Sequence, residues 1–282
     1  MTKILITGGY GQLGTALQQV MSSEELLPTD TDTMDITDNA QIDRVFADFR
    51  PDFLVHGAAY TNVDGCEDNP ELAESVNAIG TKNLADNCAK LAIPMIYIST
   101  DYVFDGTATE PILEGVTPNP LSVYGKTKLA GEKAVLSLPS GYVLRTSWVY
   151  GEGKNFVRTM LSLADKMEEI KVVNDQFGRP TYALDLAKAI YDVILKRPEP
   201  GIYNVTGDGD IISWADFATE IFKISGKPTR VVGITTEEYL SDKQDRKIAP
   251  RPMYSALALG KSKNSGLFTK DWHVALEEYL TT

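Results

Sequence analysis

Short β-branched and apolar runs alternate with stretches of helical spacing through the first half of the chain. Lys3–Thr7 reads as a strand, and Leu13, Ala16, Leu17 and Val20 then recur at helix spacing. A second strand is predicted over Glu25–Thr29. Asp35-Ile36-Thr37-Asp38 follows as loop and helix cap, with Ile42, Val45, Phe46 and Phe49 as a buried stripe. Phe53–His56, Met95–Ile98 and Tyr142–Thr146 are the next strands. This rhythm predicts an α/β fold, a Rossmann-type doubly wound parallel sheet. After Thr146 the rhythm loosens. A helix is expected through Met160, Leu161 and Leu163–Met167, and a strand over Val172–Asn174, followed by a loop over Asp175–Thr181. An amphipathic helix, Leu184–Ile194, is expected to return to the first sheet. Ile202–Val205, Trp214–Ile224, Thr229–Gly233 and Trp272–Leu280 are expected to complete a smaller C-terminal lobe. The expected division is residues 1–150 for the dinucleotide-binding unit, with about 172–196 returning to it, and 151–282 mainly for the second lobe. Neither an internal repeat nor a low-complexity stretch is visible.

Bulk composition narrows the function classes. The 282 residues carry 43% hydrophobic and 23% charged side chains, ordinary for a soluble globular protein. A net charge of −12 argues against a nucleic-acid backbone or an anionic membrane as partner. Cys66 and Cys88 form no CxxC, and the two histidines, His56 and His273, are far apart, so a thiolate metal site, a disulfide framework and a Ser-His-Asp triad have little material. His56, inside an apolar run, reads as a satisfied core histidine. No apolar run approaches the roughly 18 residues that span a bilayer. Met1-Thr2-Lys3-Ile4 leads directly into a strand rather than a signal peptide. A cytoplasmic protein is expected.

Candidate chemistry begins at Gly8-x-x-Gly11-x-x-Gly14, directly after the first strand. Gly8 permits a tight turn, Gly11 lets a pyrophosphate approach backbone, and Gly14 lets helix pack on strand. The spacing differs from the general Gly-x-Gly-x-x-Gly fingerprint. Asp30 lies 22 residues after Gly8, where a carboxylate can accept from an adenosine ribose and repel a 2′-phosphate; it can equally be a loop acid among Asp32, Asp35 and Asp38. Gly57-Ala58-Ala59-Tyr60-Thr61 puts small residues at a strand end, where a flat ligand can lie on backbone. Asn77 either ties a neighbouring backbone group or is a surface amide. The hydroxyls of Ser99 and Thr100 would point into the same crevice, unless they are incidental to a strand edge. Tyr124 and Lys128 stand one helical turn apart. A phenol with a pKa of about 10 is a poor proton donor at neutral pH, and an ammonium on the same face would lower that value. Alone, the pair would equally suit a solvated helix face.

Together, the glycine turn, Ser99-Thr100-Asp101 and Tyr124-x-x-x-Lys128 resemble the extended short-chain dehydrogenase/reductase family. Ala58-Ala59-Tyr60-Thr61-x-Val63-Asp64, Tyr97–Phe104, Arg145-Thr146-Ser147-Trp148-Val149-Tyr150-Gly151, Asn155-Phe156-Val157 and Arg251-Pro252-x-x-Ser255 resemble its dTDP-4-dehydrorhamnose reductase branch. The resemblance spans essentially the whole chain. It implies reduction, with NADPH or NADH, of the 4-keto group of a dTDP-linked 6-deoxy sugar to dTDP-L-rhamnose. It implies Tyr124 as general acid, Thr100 as partner of the carbonyl oxygen, and Lys128 as holder of the nicotinamide ribose. Gly8, Gly11, Gln12, Leu13, Asp30, Asp35, Ile36, Ala58, Ala59 and Tyr60 are the implied cofactor contacts. Thr100, Asp101, Trp148, Asn155 and Arg251 are the implied substrate contacts. Trp148 can stack on a sugar or base, or pack as core; Arg251 competes with Arg246 and Arg230 for the diphosphate. Lys243–Pro252 is expected to be a mobile loop able to close over substrate. Some relatives share a magnesium ion between subunits through glutamates; Ala16 and Leu184 occupy those positions here and cannot bind it. No metal, and a monomer or weak homodimer, are therefore expected. Another nucleotide-linked keto-sugar and a non-catalytic cofactor-binding regulator are the alternatives.

Overall fold

In the computed structural model, which describes residues 1–241 and 248–281, the first half alternates strand and helix. The order is β1 (Lys3–Thr7), α1 (Gln12–Val20), β2 (Glu25–Thr29), α2 (Asn39–Phe49), β3 (Phe53–His56), the short helices α3 (Val63–Asp68) and α4 (Pro70–Ala73), a π-helical stretch Glu74–Gly80 running into α5 (Thr81–Leu91), β4 (Met95–Thr100), α6 (Val123–Leu136) and β5 (Gly141–Thr146). Asp38 caps α2 by accepting from Ala40 N and Gln41 N, as its place before the apolar stripe predicts. Strand β4 runs two residues beyond its expected end and carries Ser99 and Thr100 on the sheet itself.

Through the second half run β6 (Val149–Tyr150), α7 (Phe156–Ala164), β7 (Glu169–Val173), β8 (Phe177–Gly178), β9 (Thr181–Tyr182), α8 (Ala183–Lys196), β10 (Gly201–Asn204), β11 (Ile212–Ser213), α9 (Trp214–Ile224), β12 (Arg230–Ile234), α10 (Thr236–Ser241), α11 (Gly260–Asn264) and α12 (Trp272–Thr281). The six-stranded parallel sheet has the order β2-β1-β3-β4-β5-β10. Alternation along the strands feeds two cores. Ile4, Ile6, Val55 and Leu144 face α1 and α8. Leu5, Leu54, Tyr97 and Val143 face α2, α5 and α6. The order reverses once, between β1 and β3, and a ligand crevice is expected outside the carboxyl ends of those strands.

Two expectations about the second half need correction. Ile202–Val205, assigned to the smaller lobe, supplies β10, which pairs parallel with β5 as the sixth strand of the main sheet. The segment follows a helix, as β2, β3, β4 and β5 do, but four residues are too few for periodicity to declare which sheet they join. Conversely, β7 does not return to the main sheet; it pairs with β12 in the smaller lobe. The return therefore begins with α8, whose Leu186, Ala187 and Ile190 pack in the core it shares with α1. The smaller lobe has its own core of Tyr150, Val157, Ile170, Phe217, Ile221, Trp272 and Leu276.

Candidate active site

The turn between β1 and α1 forms the floor of the crevice. Gly8 sits at φ +68°, and a Cβ there would lie 2.8 Å from Ala58 N. At Gly14 a Cβ would lie 2.3 Å from Gly8 O, so this glycine lets α1 press on the turn. Gly11 is different: its nearest neighbour, Gly8 O, would be 3.4 Å away. Gly11 also caps α1 without a side-chain hydrogen bond, and the first turn holds no acid. The partial positive charge of the helix start is thus left for a ligand.

A cleft of about 880 Å³ runs from this turn to α6. Gly8, Gly11, Gln12, Leu13, Asp30, Asp35, Ile36, Ala58, Ala59, Thr100, Asp101, Tyr124, Lys128 and Trp148 all line it. Tyr60, Asn155 and Arg251 do not. Tyr60 has its backbone tied on both sides by Asn77, whose Oδ1 accepts from Tyr60 N at 2.8 Å while Nδ2 donates to Tyr60 O at 3.2 Å. Asn155 caps α7, accepting from Arg158 N and donating to Gly151 O, so its amide is fully engaged. Arg251 forms a two-pronged pair with Asp64, at 3.0 and 3.1 Å. Arg230 pairs with Glu169 on the neighbouring strand, and Arg246 lies outside the described residues, as do residues 243–247 of the loop expected over Lys243–Pro252.

At the end expected to take adenosine, Asp30 directly follows β2 and its Oδ1 accepts from Thr31 N at 2.9 Å. Asp35 closes a local turn by accepting from Thr37 N and Oγ1. Ile36 is buried against Gly80. His56 is the core histidine expected: its ring nitrogens meet Thr7 Oγ1 at 2.7 Å and Thr81 Oγ1 at 2.9 Å, and burial holds its pKa down at about 3. Ala16 lies in the main core and Leu184 packs against it, both apolar surroundings.

At the other end, α6 is held close to β4 by small residues. A Cβ on Gly125 would meet Tyr102 O at 2.1 Å, and one on Gly131 would meet Tyr97 Oη at 2.4 Å. This approach buries Tyr124 and Lys128 beside Thr100. Lys128 Nζ donates to Ile98 O at 2.6 Å and lies 4.1 Å from the Tyr97 ring centroid. Burial lowers its pKa to about 7, against an opposing pull from Glu132. Tyr124 is raised above the usual phenol value, first by burial and then by the charge of Asp101, while the neighbouring Thr100 hydroxyl works to lower it. The net shift is therefore opposite to the lowering expected from Lys128: a desolvated lysine engaged with a carbonyl does not outweigh burial of the phenol.

Several lining residues carry no local sequence signal of a role. Thr146 sits opposite Thr100 across the β4–β5 ladder, and its Oγ1 is buried without a partner. Gln12 Oε1 and Asp101 Oδ2 are likewise buried and unpartnered. An unpartnered polar atom beside the glycine turn, two more at the far end, and a cleft of about 880 Å³ between them fit a dinucleotide cofactor. Trp148, at φ +49°, stacks on Trp214 with centroids 3.7 Å apart and also lines the cleft.

All of residues 1–282 match the family described as RmlD substrate binding domain. The spore coat polysaccharide biosynthesis protein SpsK of Bacillus subtilis is 40% identical over 99% of this chain and 97% of its own. A crystal structure of a dTDP-4-dehydrorhamnose reductase from Clostridium acetobutylicum is 42% identical, with TM-score 0.93 over 99% of this chain and 98% of that one. The dTDP-4-dehydrorhamnose reductase of Bacillus anthracis, in complex with NADP, is 38% identical with TM-score 0.93 over 99% of each chain.

Proposed function

The chain belongs to the dTDP-4-dehydrorhamnose reductase family of NAD(P)H-dependent oxidoreductases, and we propose that it reduces the 4-keto group of dTDP-4-dehydro-L-rhamnose to give dTDP-L-rhamnose. The observation that carries this reading is the meeting of Thr100, Tyr124 and Lys128 at one end of a cleft whose other end is the glycine turn. A non-catalytic regulator would need the turn but not these three residues together.

A bound reduced nicotinamide supplies the hydride. The protein's part is to hold the ligand and manage one proton. The turn at Gly8–Gly14 and the start of α1 receive the diphosphate, and Ala58 and Ala59 give the dinucleotide a flat wall. Asp30 receives the adenosine ribose and disfavours a 2′-phosphate, which leans the site towards NADH. Lys128 is within the cleft to meet ribose hydroxyls, and a cation there stabilises negative charge as it develops on Tyr124. Tyr124 gives its proton to the carbonyl oxygen as charge builds there, with Thr100 hydrogen-bonded beside it.

The test is oxidation of NADH and of NADPH, followed by absorbance, with enzymatically prepared dTDP-4-dehydro-L-rhamnose. Rapid oxidation with dTDP-L-rhamnose as product supports the reading, and the ratio of the two rates judges Asp30. Cofactor binding without oxidation would reject this sugar and direct the search to other nucleotide-linked keto-sugars.

A further inference from the structure

We propose that Lys154 is the cation that meets the diphosphate of the bound dinucleotide, and that residues 151–154, between β6 and α7, form a clamp opposite the glycine turn. The inference rests on the reductase reading, which requires that cofactor. Charge is scarce where the diphosphate must sit. A dinucleotide brings two negative charges into a protein whose net charge is already −12. The cleft lining carries Asp30, Asp35, Asp101 and Glu152 against Lys128 and Lys154. Lys128 is committed at the catalytic end, where its Nζ donates to Ile98 O. The start of α1 offers only about half an elementary charge. Among the described residues, Lys154 is therefore the full positive charge that the lining has left for a diphosphate.

Hydrogen bonds fix the backbone of this loop against the turn. Gln12, the first residue of α1, donates from Nε2 to Lys154 O at 3.2 Å, across 142 residues of sequence. On the other side, Asn155 Nδ2 donates to Gly151 O and Gly153 O, and Tyr279 Oη from α12 donates to Gly151 O at 2.8 Å. Asn155, a sugar contact by resemblance, is thus a positioning residue for the clamp.

The Lys154 side chain, by contrast, is uncommitted. Glu152, the acid nearest to it in sequence, is engaged by Arg158 at 2.7 Å. Among the described residues the exposed Lys154 ammonium has neither an ion pair nor a hydrogen bond. A fixed backbone with an unpaired ammonium on a flexible four-carbon stem suits a phosphate, which lysine binds as a point charge. The nucleotide sugar carries a diphosphate too. The bond to Gln12 sets Lys154 beside the start of α1, and this favours the diphosphate of the cofactor.

Titration of Lys154→Ala, Lys154→Glu and Lys154→Arg tests the clamp, with NADH followed by fluorescence and ADP-ribose and dTDP by calorimetry, all at low salt. NADH and ADP-ribose should bind about tenfold more weakly to Lys154→Ala and about a hundredfold more weakly to Lys154→Glu. Lys154→Arg should stay within about threefold of wild type, and dTDP within about twofold in every variant. Raising salt to about 0.5 M should narrow the gap between wild type and Lys154→Ala. Melting temperatures should move by less than about 2 °C, because the side chain is exposed. Unchanged affinity for ADP-ribose in Lys154→Ala and Lys154→Glu overturns the proposal. So does a loss that salt leaves intact, or an equal loss for dTDP. ADP-ribose transfers no hydride, so a wild type that binds it but oxidises neither NADH nor NADPH would sink the reductase reading, while the titration would still decide the clamp.

Discussion

Tyr124 and Lys128 are readable as a pair from their spacing, but the charge each carries depends on burial that no spacing reveals. Both are at least nine-tenths buried, so desolvation works against charge on each. Tyr124→Phe should leave cofactor affinity within about threefold and lower turnover by about a hundredfold or more, measured as binding by fluorescence and as kcat. Retained turnover would remove Tyr124 as the proton donor. Lys128 offers a test that needs no substrate. Its pKa is about 7 in the fold against 10.5 for an ordinary lysine. Between those values the unfolded chain holds a proton that the folded chain has released, so folding gains stability as pH rises through the window. In Lys128→Met that gain is absent. Denaturant midpoints at about pH 7 and about pH 9 should therefore move in favour of wild type at the higher pH. His56 was legible from its apolar neighbours; the Thr7 and Thr81 hydroxyls that satisfy it were not, because they lie 49 and 25 residues away.

Elements whose strand, turn and helix follow one another in sequence were legible; those defined by distant pairing were not. The glycine turn is the clearest case. Its three glycines have separable roles, and two substitutions expose them. Gly14→Ala pushes a methyl group against Gly8 O and Gly9 O, and should cost about 2–4 kcal/mol of stability by denaturation. Gly11→Ala meets only Gly8 O at 3.4 Å. It should leave the melting temperature nearly unchanged while weakening cofactor binding about tenfold, as the methyl enters the path of the diphosphate. Equal losses of stability in both variants would contradict this division. Strand β10 shows the opposite situation. Its four residues, Gly201–Asn204, look like many short apolar runs, and only the pairing with β5 assigns them to the main sheet. Likewise, Glu132 on α6 and Arg145 on β5 form a buried two-pronged pair that Ser99 Oγ joins at 2.6 Å. Charge composition alone gives no hint of it.

Across the whole molecule, the two lobes meet through side chains far apart in sequence. Ser255 faces Asp101, Arg251 pairs with Asp64, and Trp148 stacks on Trp214. Such contacts leave no local pattern, which is why Arg251 read as a candidate for the diphosphate and Asn155 as a candidate for the sugar. Arg251→Ala removes the bridge between α3 and the segment after residue 247. It should lower stability by about 1–2 kcal/mol, with the KM for the nucleotide sugar changed less than about threefold. A KM rise of tenfold or more at unchanged stability would return Arg251 to the substrate site. The central claim for the molecule is that hydride reaches carbon 4 of the sugar, beside Tyr124 and Thr100. The measurement that tests it most directly is turnover of dTDP-4-dehydro-L-rhamnose with NADH deuterated at the transferable position, followed by NMR of the sugar product. A single deuterium at carbon 4 of dTDP-L-rhamnose is the predicted result; deuterium at another carbon, or none in the sugar, would contradict it.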